Sequence, residues 1–277
     1  IYTGATNPQI LGHEFSAVVA DIGSAVANVK VGDRVSIQPL ISPRDDYYGR
    51  RGLYHLSEQM ACVGLSWAWG GMSEYAVVND YNVAGVPDGV SDVQAAMIEP
   101  AAVAIYAADR GGVTSGSTVL ISGIGPIGAL TLLAVRAAGA AVIFVSEPNA
   151  YRRNLAKQLV PDAICLDPTK DDVPTFIRDH TEEGVGVDVA IECVGLEASL
   201  CRLGPPSGQG GPDRPAHEAG LDRRHALGAE RHHGGGHLVL PRPMLAAHHP
   251  HGRGRAAAGR KDLHRRDLRR RCGRKGL

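Results

Sequence analysis

The sequence is poor in the residues that build disulfide frameworks or cysteine-rich zinc lobes. Its cysteines are odd in number and widely spaced, and no C-x-x-C pair occurs, which argues against both kinds of site. No apolar run reaches the roughly 18 residues of a membrane helix, and no secretory signal is present. We therefore expect a cytoplasmic protein without membrane contact. The cysteines are Cys62, Cys165, Cys193, Cys201 and Cys272.

Charge is balanced over the whole chain but not within its parts. Residues 1–200 carry 12 Lys and Arg against 23 Asp and Glu, whereas residues 201–277 carry 17 against 6. The length of 277 residues has room for two domains. The charge split indicates a basic tail or two segments of different origin. Because the first residue is Ile1, we also expect the chain to begin inside a longer protein.

The segment 201–277 contains no Phe, Trp, Tyr, Ile, Thr or Asn. Such a segment cannot bury enough apolar surface to offset the entropy of ordering, so we predict a disordered basic tail. We hypothesise that it is an out-of-frame translation, because Arg, Gly, Ala, Pro and His dominate GC-rich DNA read in a wrong frame. The alternative is a genuine tail that binds nucleic acid through phosphates. The lack of aromatic residues for base stacking makes that alternative the weaker one.

A strand, a glycine turn and a helix follow one another near the middle of the chain. The apolar run 119–122 predicts a buried parallel strand, and residues 129–138 show helical spacing. Between them Gly123, Gly125 and Gly128 form a G-x-G-x-x-G motif. In this context the motif predicts a turn whose backbone cradles a pyrophosphate at a helix N-terminus. The predicted phosphate-contacting residues are Gly123, Gly125, Pro126, Ile127 and Gly128.

An acidic residue completes the dinucleotide pattern. Glu147 ends the next apolar strand, 19 residues after Gly128. An acid at this position accepts hydrogen bonds from the adenosine ribose and repels a 2′-phosphate, so we predict NAD rather than NADP. Arg152 or Arg153 could then cover the adenine, although a solvated helix face is the alternative for both. The alternative for the whole pattern is an ordinary βαβ glycine turn that binds nothing.

The chain begins with β-structure. Residues 15–22 and 34–38 read as strands, and Gly32-Asp33 is a hairpin signal between them. His13 and Glu14 precede the first strand. Adjacent residues on extended backbone point in opposite directions, so both can face one metal ion only if the chain bends there. A solvated pair is the alternative reading.

Four segments together resemble one family. The stretch Gly12-His13-Glu14 with its downstream Gly and Val resembles the zinc signature of the medium-chain dehydrogenase/reductase family, with Ala17 in place of the usual glycine. Residues 31–35 resemble the next motif, 70–75 the return strand, and 99–104 the Glu-Pro segment of the polyol branch. With the glycine motif, the resemblance covers residues 1 to about 200 in the family's order.

The resemblance implies a zinc- and NAD-dependent oxidation of a secondary alcohol, such as 2,3-butanediol or another diol or polyol. His13 and Glu14 would be zinc ligands; Glu99 would be a third ligand or would hold the zinc-bound water and relay the proton. His13 and Glu99 are therefore the predicted catalytic residues. The family's first ligand, a cysteine, precedes this chain's first residue, and no structural zinc is expected. Intact members are expected to form homo-oligomers.

The expected fold is a truncated GroES-like β domain over residues 1–90, a partial Rossmann domain over 91–200 and the tail over 201–277. A helix is predicted for 91–110, with Ser91 and Gln94 as a capping box. The strand 187–195 would line the cofactor cleft at Val194. The site is expected between the two domains.

Three other functions stay open at this point: a non-catalytic remnant, a nucleic-acid binder acting through the tail, and a zinc-free quinone or enone reductase of the same superfamily. A zinc-free reductase does not need His13, Glu14 and Glu99 together, so the presence of all three argues against that function. Because half of the parallel sheet and one zinc ligand are missing, we expect weak or no turnover from this chain.

Overall fold

The computed structural model describes residues 9–195 and 225–227. The chain divides into two compact units, Ile1–Val103 and Ala104–Leu277. We call them the amino-terminal and the carboxy-terminal unit. No helix in the described residues is long and apolar enough to cross a membrane.

Short antiparallel strands form the amino-terminal unit, as the sequence predicts. Three of them make a sheet of order β1-β2-β5, and β3 pairs with β4. The strands are β1 (Ser16–Val18), β2 (Arg34–Ile37), β3 (Leu40–Ile41), β4 (Ala61–Cys62) and β5 (Val83–Gly85).

The first strand is shorter than predicted. It ends at Val18 rather than at residue 22. Beyond it, the backbone N–H of Ile22 donates to the Asp21 side chain (2.8 Å) rather than to a neighbouring strand. Such local bonds compete with a strand ladder. The predicted hairpin does form, but its connection is the long segment 19–33, which closes where Gly32 adopts a φ of +92°.

The predicted return strand 70–75 is irregular backbone in the structure. It still pairs locally, because the N–H groups of Gly71 and Met72 donate to the carbonyls of Gly12 and Leu11 at 2.8 and 2.9 Å. Two bonds fix its position against the segment that carries His13.

The predicted helix 91–110 is two helices, α1 (Asp92–Ala96) and α2 (Ile98–Gly111). The capping box of Ser91 and Gln94 is confirmed, with each side chain bonded to the other residue's backbone N–H. The break follows from Pro100, which has no N–H to donate to the carbonyl four residues earlier and whose ring would collide with it. In the first turn of α2 the proline is tolerated.

A parallel sheet flanked by helices forms the carboxy-terminal unit. Its strand order is β10-β9-β6-β7-β8, and every neighbouring pair is parallel. The order reverses between β6 and β9, as it does in dinucleotide-binding folds. The strands are β6 (Thr118–Ser122), β7 (Val142–Ser146), β8 (Ile164–Leu166), β9 (Val189–Glu192) and β10 (His225–Leu227), and the helices are α3 (Pro126–Ala137), α4 (Ala150–Leu159) and α5 (Val173–Asp179).

Alternating side chains of this sheet supply two apolar clusters. Val119 and Ile121 belong to one, with residues of α3 and α4, whereas Leu120 belongs to the other, with Phe144 and residues of α5. Burial on both faces explains why these strands read as continuous apolar runs rather than as an alternating pattern.

The predicted tail lies almost entirely outside the described residues. The exception is β10, whose backbone pairs with β9 where the sequence predicts no order. Backbone groups carry strand pairing, so a segment without apolar periodicity can still add to an open sheet edge. The prediction of a disordered tail falls on residues outside this description and stays a prediction.

Candidate active site

Three predicted zinc ligands come together in the amino-terminal unit. One ligand atom each of His13, Glu14 and Glu99 lies within 4.8 Å of the others. His13 Nε2 is 3.9 Å from Glu14 Oε1. The chain bends at Glu14, and this bend lets two adjacent side chains face one point. An imidazole and two carboxylates at this spacing are a donor set that suits zinc.

Close backbone contacts hold the His13 segment in place. A Cβ on Gly64 would lie 1.9 Å from the carbonyl oxygen of Gly12, and one on Gly71 would lie 2.6 Å from the Phe15 ring. Gly12 itself adopts a φ of +96°. The loop that contains residues 64–71 therefore lies directly on the backbone around His13, and only glycine permits that approach.

Glu99 enters the cluster from the first turn of α2. Burial raises the pKa of its carboxyl to about 7, with the nearby negative charge of Glu14 as a smaller contribution. A carboxyl of this kind exchanges its proton in the neutral range, which suits a general acid or base. Burial of the Cys62 thiol, with the charge of Glu99 as a smaller contribution, raises the pKa of that thiol to about 12.

The other two members of the cluster are more open. The side chains of His13 and Glu14 are 32% and 50% exposed. The cluster thus combines one sheltered carboxylate with two donors that solvent or a small molecule can reach, which is the arrangement a metal site with an open position requires.

The glycine turn in the carboxy-terminal unit has the geometry that phosphate binding needs. Gly123 has a φ of +89°, and a Cβ on Gly128 would lie 2.0 Å from the carbonyl oxygen of Gly123. Around Gly125, by contrast, nothing lies within 4 Å of an added Cβ. Gly125 is the N-cap of α3, and Pro126 follows in its first turn. An anion can therefore approach the turn at Gly125, where the unpaired N–H groups and the helix dipole favour it; Ile127 lies in the same turn of the helix.

Glu147 lies at the carboxyl end of β7 and is 3% exposed. One carboxylate oxygen accepts the N–H of Ile124 within the glycine motif (2.8 Å), and the other accepts the N–H of Asn149 (2.9 Å). The carboxylate is thus fixed against the turn. Each oxygen keeps a second lone pair for a ligand hydroxyl.

The two arginines that the sequence leaves open have different environments. Arg153 donates to the carbonyls of Glu147 and Pro148 and pairs with Asp167 at 3.2 Å. The Arg152 guanidinium is half exposed and lies 3.9 Å from the Glu147 carboxylate. Arg152 is therefore the arginine available to a bound nucleotide.

The ends of the two central strands adjoin. A Cβ on Gly123 would lie 2.5 Å from Cγ2 of Val194, so the predicted cofactor residue Val194 contacts the first glycine of the motif. Its position depends on Glu192, a buried acid that sequence reasoning missed. The signal was a carboxylate at the end of an otherwise apolar strand, Val-Ala-Ile-Glu.

Comparison with known proteins agrees with both units. Residues 1–88 match the family described as the alcohol dehydrogenase GroES-like domain. The chain is 41% identical over 199 residues to (R,R)-butanediol dehydrogenase of Bacillus subtilis, covering 72% of this chain and 55% of the relative. It is 38% identical over 195 residues to human sorbitol dehydrogenase, covering 70% and 54%.

Solved structures give the same result. The crystal structure of 2R,3R-butanediol dehydrogenase from Bacillus subtilis has a TM-score of 0.65 at 41% identity, covering 71% of this chain and 55% of that one. A protein from Sinorhizobium meliloti 1021, solved bound to NADP, has a TM-score of 0.69 at 29% identity, covering 85% and 70%.

The chain spans about half the length of the curated relatives it matches. Its GroES-like domain is followed by a Rossmann-like parallel sheet with the glycine motif at the expected place. Over its first 200 or so residues, the chain belongs to the medium-chain dehydrogenase/reductase family.

Proposed function

We propose that this chain is the zinc- and NAD-binding part of an oxidoreductase that oxidises a secondary alcohol of a diol or polyol. The observation that carries the proposal is the convergence on one point of the adjacent His13 and Glu14 with Glu99, which is far from both in sequence. The names of the relatives, butanediol and sorbitol dehydrogenases, support the substrate class.

The amino-terminal residues 1–90, together with Glu99, would hold the metal and the substrate. A bound zinc ion would make the substrate hydroxyl more acidic. His13 and Glu14 would orient that ion, and Glu99 would hold or pass on the hydroxyl proton. The half-exposed edge at Glu14 would admit the substrate.

Residues 91–200 would bind the dinucleotide. A bound NAD would supply the hydride acceptor, and the protein would position it. The turn at Gly123, Gly125 and Gly128 would receive the pyrophosphate, and Glu147 would accept the ribose hydroxyls. A fixed, buried carboxylate there disfavours a 2′-phosphate, although the similar Sinorhizobium protein was solved with NADP.

Zinc binding by the full chain tests the metal part of the proposal. In equilibrium dialysis we expect one zinc ion per chain, and we expect His13→Ala and Glu99→Gln each to weaken the affinity about 10-fold or more. His55→Ala, an exposed histidine in the same unit, is the control and should bind zinc as the parent does. Failure to bind zinc would favour a metal-free reductase.

Cofactor choice is tested by calorimetric titration with NAD and NADP. The proposal predicts tighter binding of NAD. The half-exposed Arg152 is the residue that could attract a 2′-phosphate, so Arg152→Ala should leave NAD affinity within about 3-fold and weaken NADP further. Preferential binding of NADP by the parent chain would contradict the role given to Glu147.

Turnover is a separate matter from binding. We expect the chain to oxidise 2,3-butanediol weakly or not at all. Oxidation at rates typical of intact family members would refute this expectation while leaving the binding assignments in place.

A further inference from the structure

Glu192 is a buried acid at the carboxyl end of β9, and it is 2% exposed. Its two carboxylate oxygens accept the backbone N–H groups of Val194 and Gly195 at 2.8 and 2.9 Å. The carboxylate thus folds back over the turn that follows its own strand. Hydrogen bonds of N–H groups to a charged acceptor are stronger than neutral ones, so the turn is held firmly.

This turn forms one wall of the glycine motif. Glu192 lies opposite Ser122, the last residue of β6, in the strand register. The N–H of Cys193 donates to the carbonyl of Ser122 at 2.8 Å, and the next residue, Val194, contacts Gly123. The position of Val194 is therefore set from two sides, by β6 and by the Glu192 carboxylate.

We propose that Glu192 is a positioning residue for the half of the dinucleotide that lies over β9, the nicotinamide half. The inference rests on the proposed binding of NAD. A dinucleotide binds across the point where strand order reverses, here between β6 and β9. Glu147 follows β7, on the other side of β6, so the adenosine half lies on that side and the nicotinamide half on the side of Val194.

This topology separates the two ends of the ligand. Loosening the 193–195 turn changes the wall beside the nicotinamide half but leaves the contacts of the adenosine half intact. ADP, which lacks the nicotinamide nucleoside, should therefore be insensitive to Glu192, whereas NAD should depend on it.

Calorimetric titration of the full chain with NAD and with ADP tests the inference. We expect Glu192→Ala to weaken NAD binding about 10-fold, because two bonds to a charged acceptor are lost, and to change ADP binding by no more than about 2-fold. Glu192→Gln keeps one carbonyl acceptor and should lie between the parent and the alanine variant. If the alanine variant does not fold, the glutamine variant tests the inference alone.

Asp188→Ala is the matched control. Asp188 uses its carboxylate in a similar way, accepting the N–H of Thr118 at 2.8 Å, but at the opposite ends of the same two strands. We expect it to change NAD and ADP binding alike, by no more than about 2-fold. If Glu192→Ala and Asp188→Ala both lost NAD binding while keeping ADP binding, strain in the sheet rather than the turn would be responsible. That result would overturn the inference.

The proposed function and the role of Glu192 are overturned by different outcomes. If the parent chain binds neither ADP nor NAD, the proposed function fails and the role of Glu192 with it. If the parent binds both ligands and neither Glu192 variant separates them, only the role of Glu192 is overturned.

Discussion

The two proposed sites differ in how much buried apolar structure surrounds them. The carboxy-terminal unit surrounds its glycine turn with two apolar clusters on the two faces of one sheet. In the described part of the amino-terminal unit, the buried apolar residues other than proline are Val35, Ile37, Cys62, Val63 and Ala95. Large apolar side chains such as Met72 and Tyr75 are more than 70% exposed there.

The side chains of His13, Glu14 and Glu99 thus converge without a large apolar core beneath them. The cluster of His13, Glu14 and Glu99 depends on backbone contacts between irregular segments, whereas the glycine turn depends on strands and a helix. We therefore expect the first site to fail through single glycines and the second to resist most changes outside the turn itself.

The largest effect is expected for Gly64→Ala. Its Cβ would lie 1.9 Å from the Gly12 carbonyl oxygen at a φ of +75°, so the loops must separate. We expect a loss of about 3 kcal/mol or more in the amino-terminal unit and a loss of zinc binding, while ADP binding stays. Gly52→Ala, with a φ of +70° and open space, is the control and should cost about 1 kcal/mol.

Differential scanning calorimetry, zinc dialysis and calorimetric titration with ADP measure the three outcomes. The comparison between the units would break if Gly64→Ala abolished ADP binding together with zinc binding, since the carboxy-terminal unit would then depend on the loops around His13.

The next effect concerns Gly128 and Gly125 within one motif. A Cβ on Gly128 would lie 2.0 Å from the Gly123 carbonyl oxygen, whereas a Cβ on Gly125 meets nothing within 4 Å. Gly128→Ala should therefore reduce both the melting temperature and ADP affinity. Gly125→Ala should leave the melting temperature within a few degrees and reduce only ADP affinity, because the added methyl occupies the path of the pyrophosphate. Unchanged ADP binding in Gly125→Ala would contradict the proposed site.

Thiol labelling compares the two units through one buried cysteine in each, Cys62 and Cys193. Burial raises the pKa of Cys62 and of Cys193 to about 12. The reactive thiolate is the deprotonated form, so at pH 8 only about one thiol in ten thousand is reactive, and labelling should speed up about tenfold per pH unit below pH 12.

The measurement uses a chain with Cys165, Cys201 and Cys272 replaced by serine. In low urea we expect Cys62 to react first, because fewer buried apolar contacts hold its unit together. Earlier labelling of Cys193, followed by mass spectrometry of peptides, would reverse the comparison.

The smallest effects are expected for surface ion pairs. Arg34 bonds Asp92 at 2.7 Å in the amino-terminal unit, and Arg136 bonds Asp162 at 2.7 Å in the other. All four side chains are partly or largely exposed, so Asp92→Asn and Asp162→Asn should each cost no more than about 1 kcal/mol in urea unfolding. A larger loss in only one unit would show that its stability depends on polar surface contacts.

The sequence predicts the parallel sheet well because buried strands, glycines and helix caps are local signals. The ends of β6 and α3 follow from the glycines at 123 and 139, and the end of β7 follows from the apolar run that stops before Glu147. The capping box of Ser91 was equally visible. The break in the helix at Met97 was missed, although Pro100 carried the information, because the apolar spacing continues through it.

The convergence of His13, Glu14 and Glu99 could be predicted only through the family resemblance. Nothing local in the sequence indicates that Glu99 meets His13, since the contact depends on loops placed by Gly64 and Gly71. Glu192 was missed for the opposite reason: an acid that ends a strand is a common surface residue, and only the structure shows that its carboxylate turns inward onto the next two N–H groups.

The break between α1 and α2 determines which way the Glu99 carboxylate points. Each residue added to a helix rotates the next side chain by about 100°. If a residue other than proline at position 100 allowed one helix to run through Met97, the direction of the Glu99 side chain would be set by the helix that begins after Ser91. An uncharged ring thus acts on the acid beside it through the backbone alone.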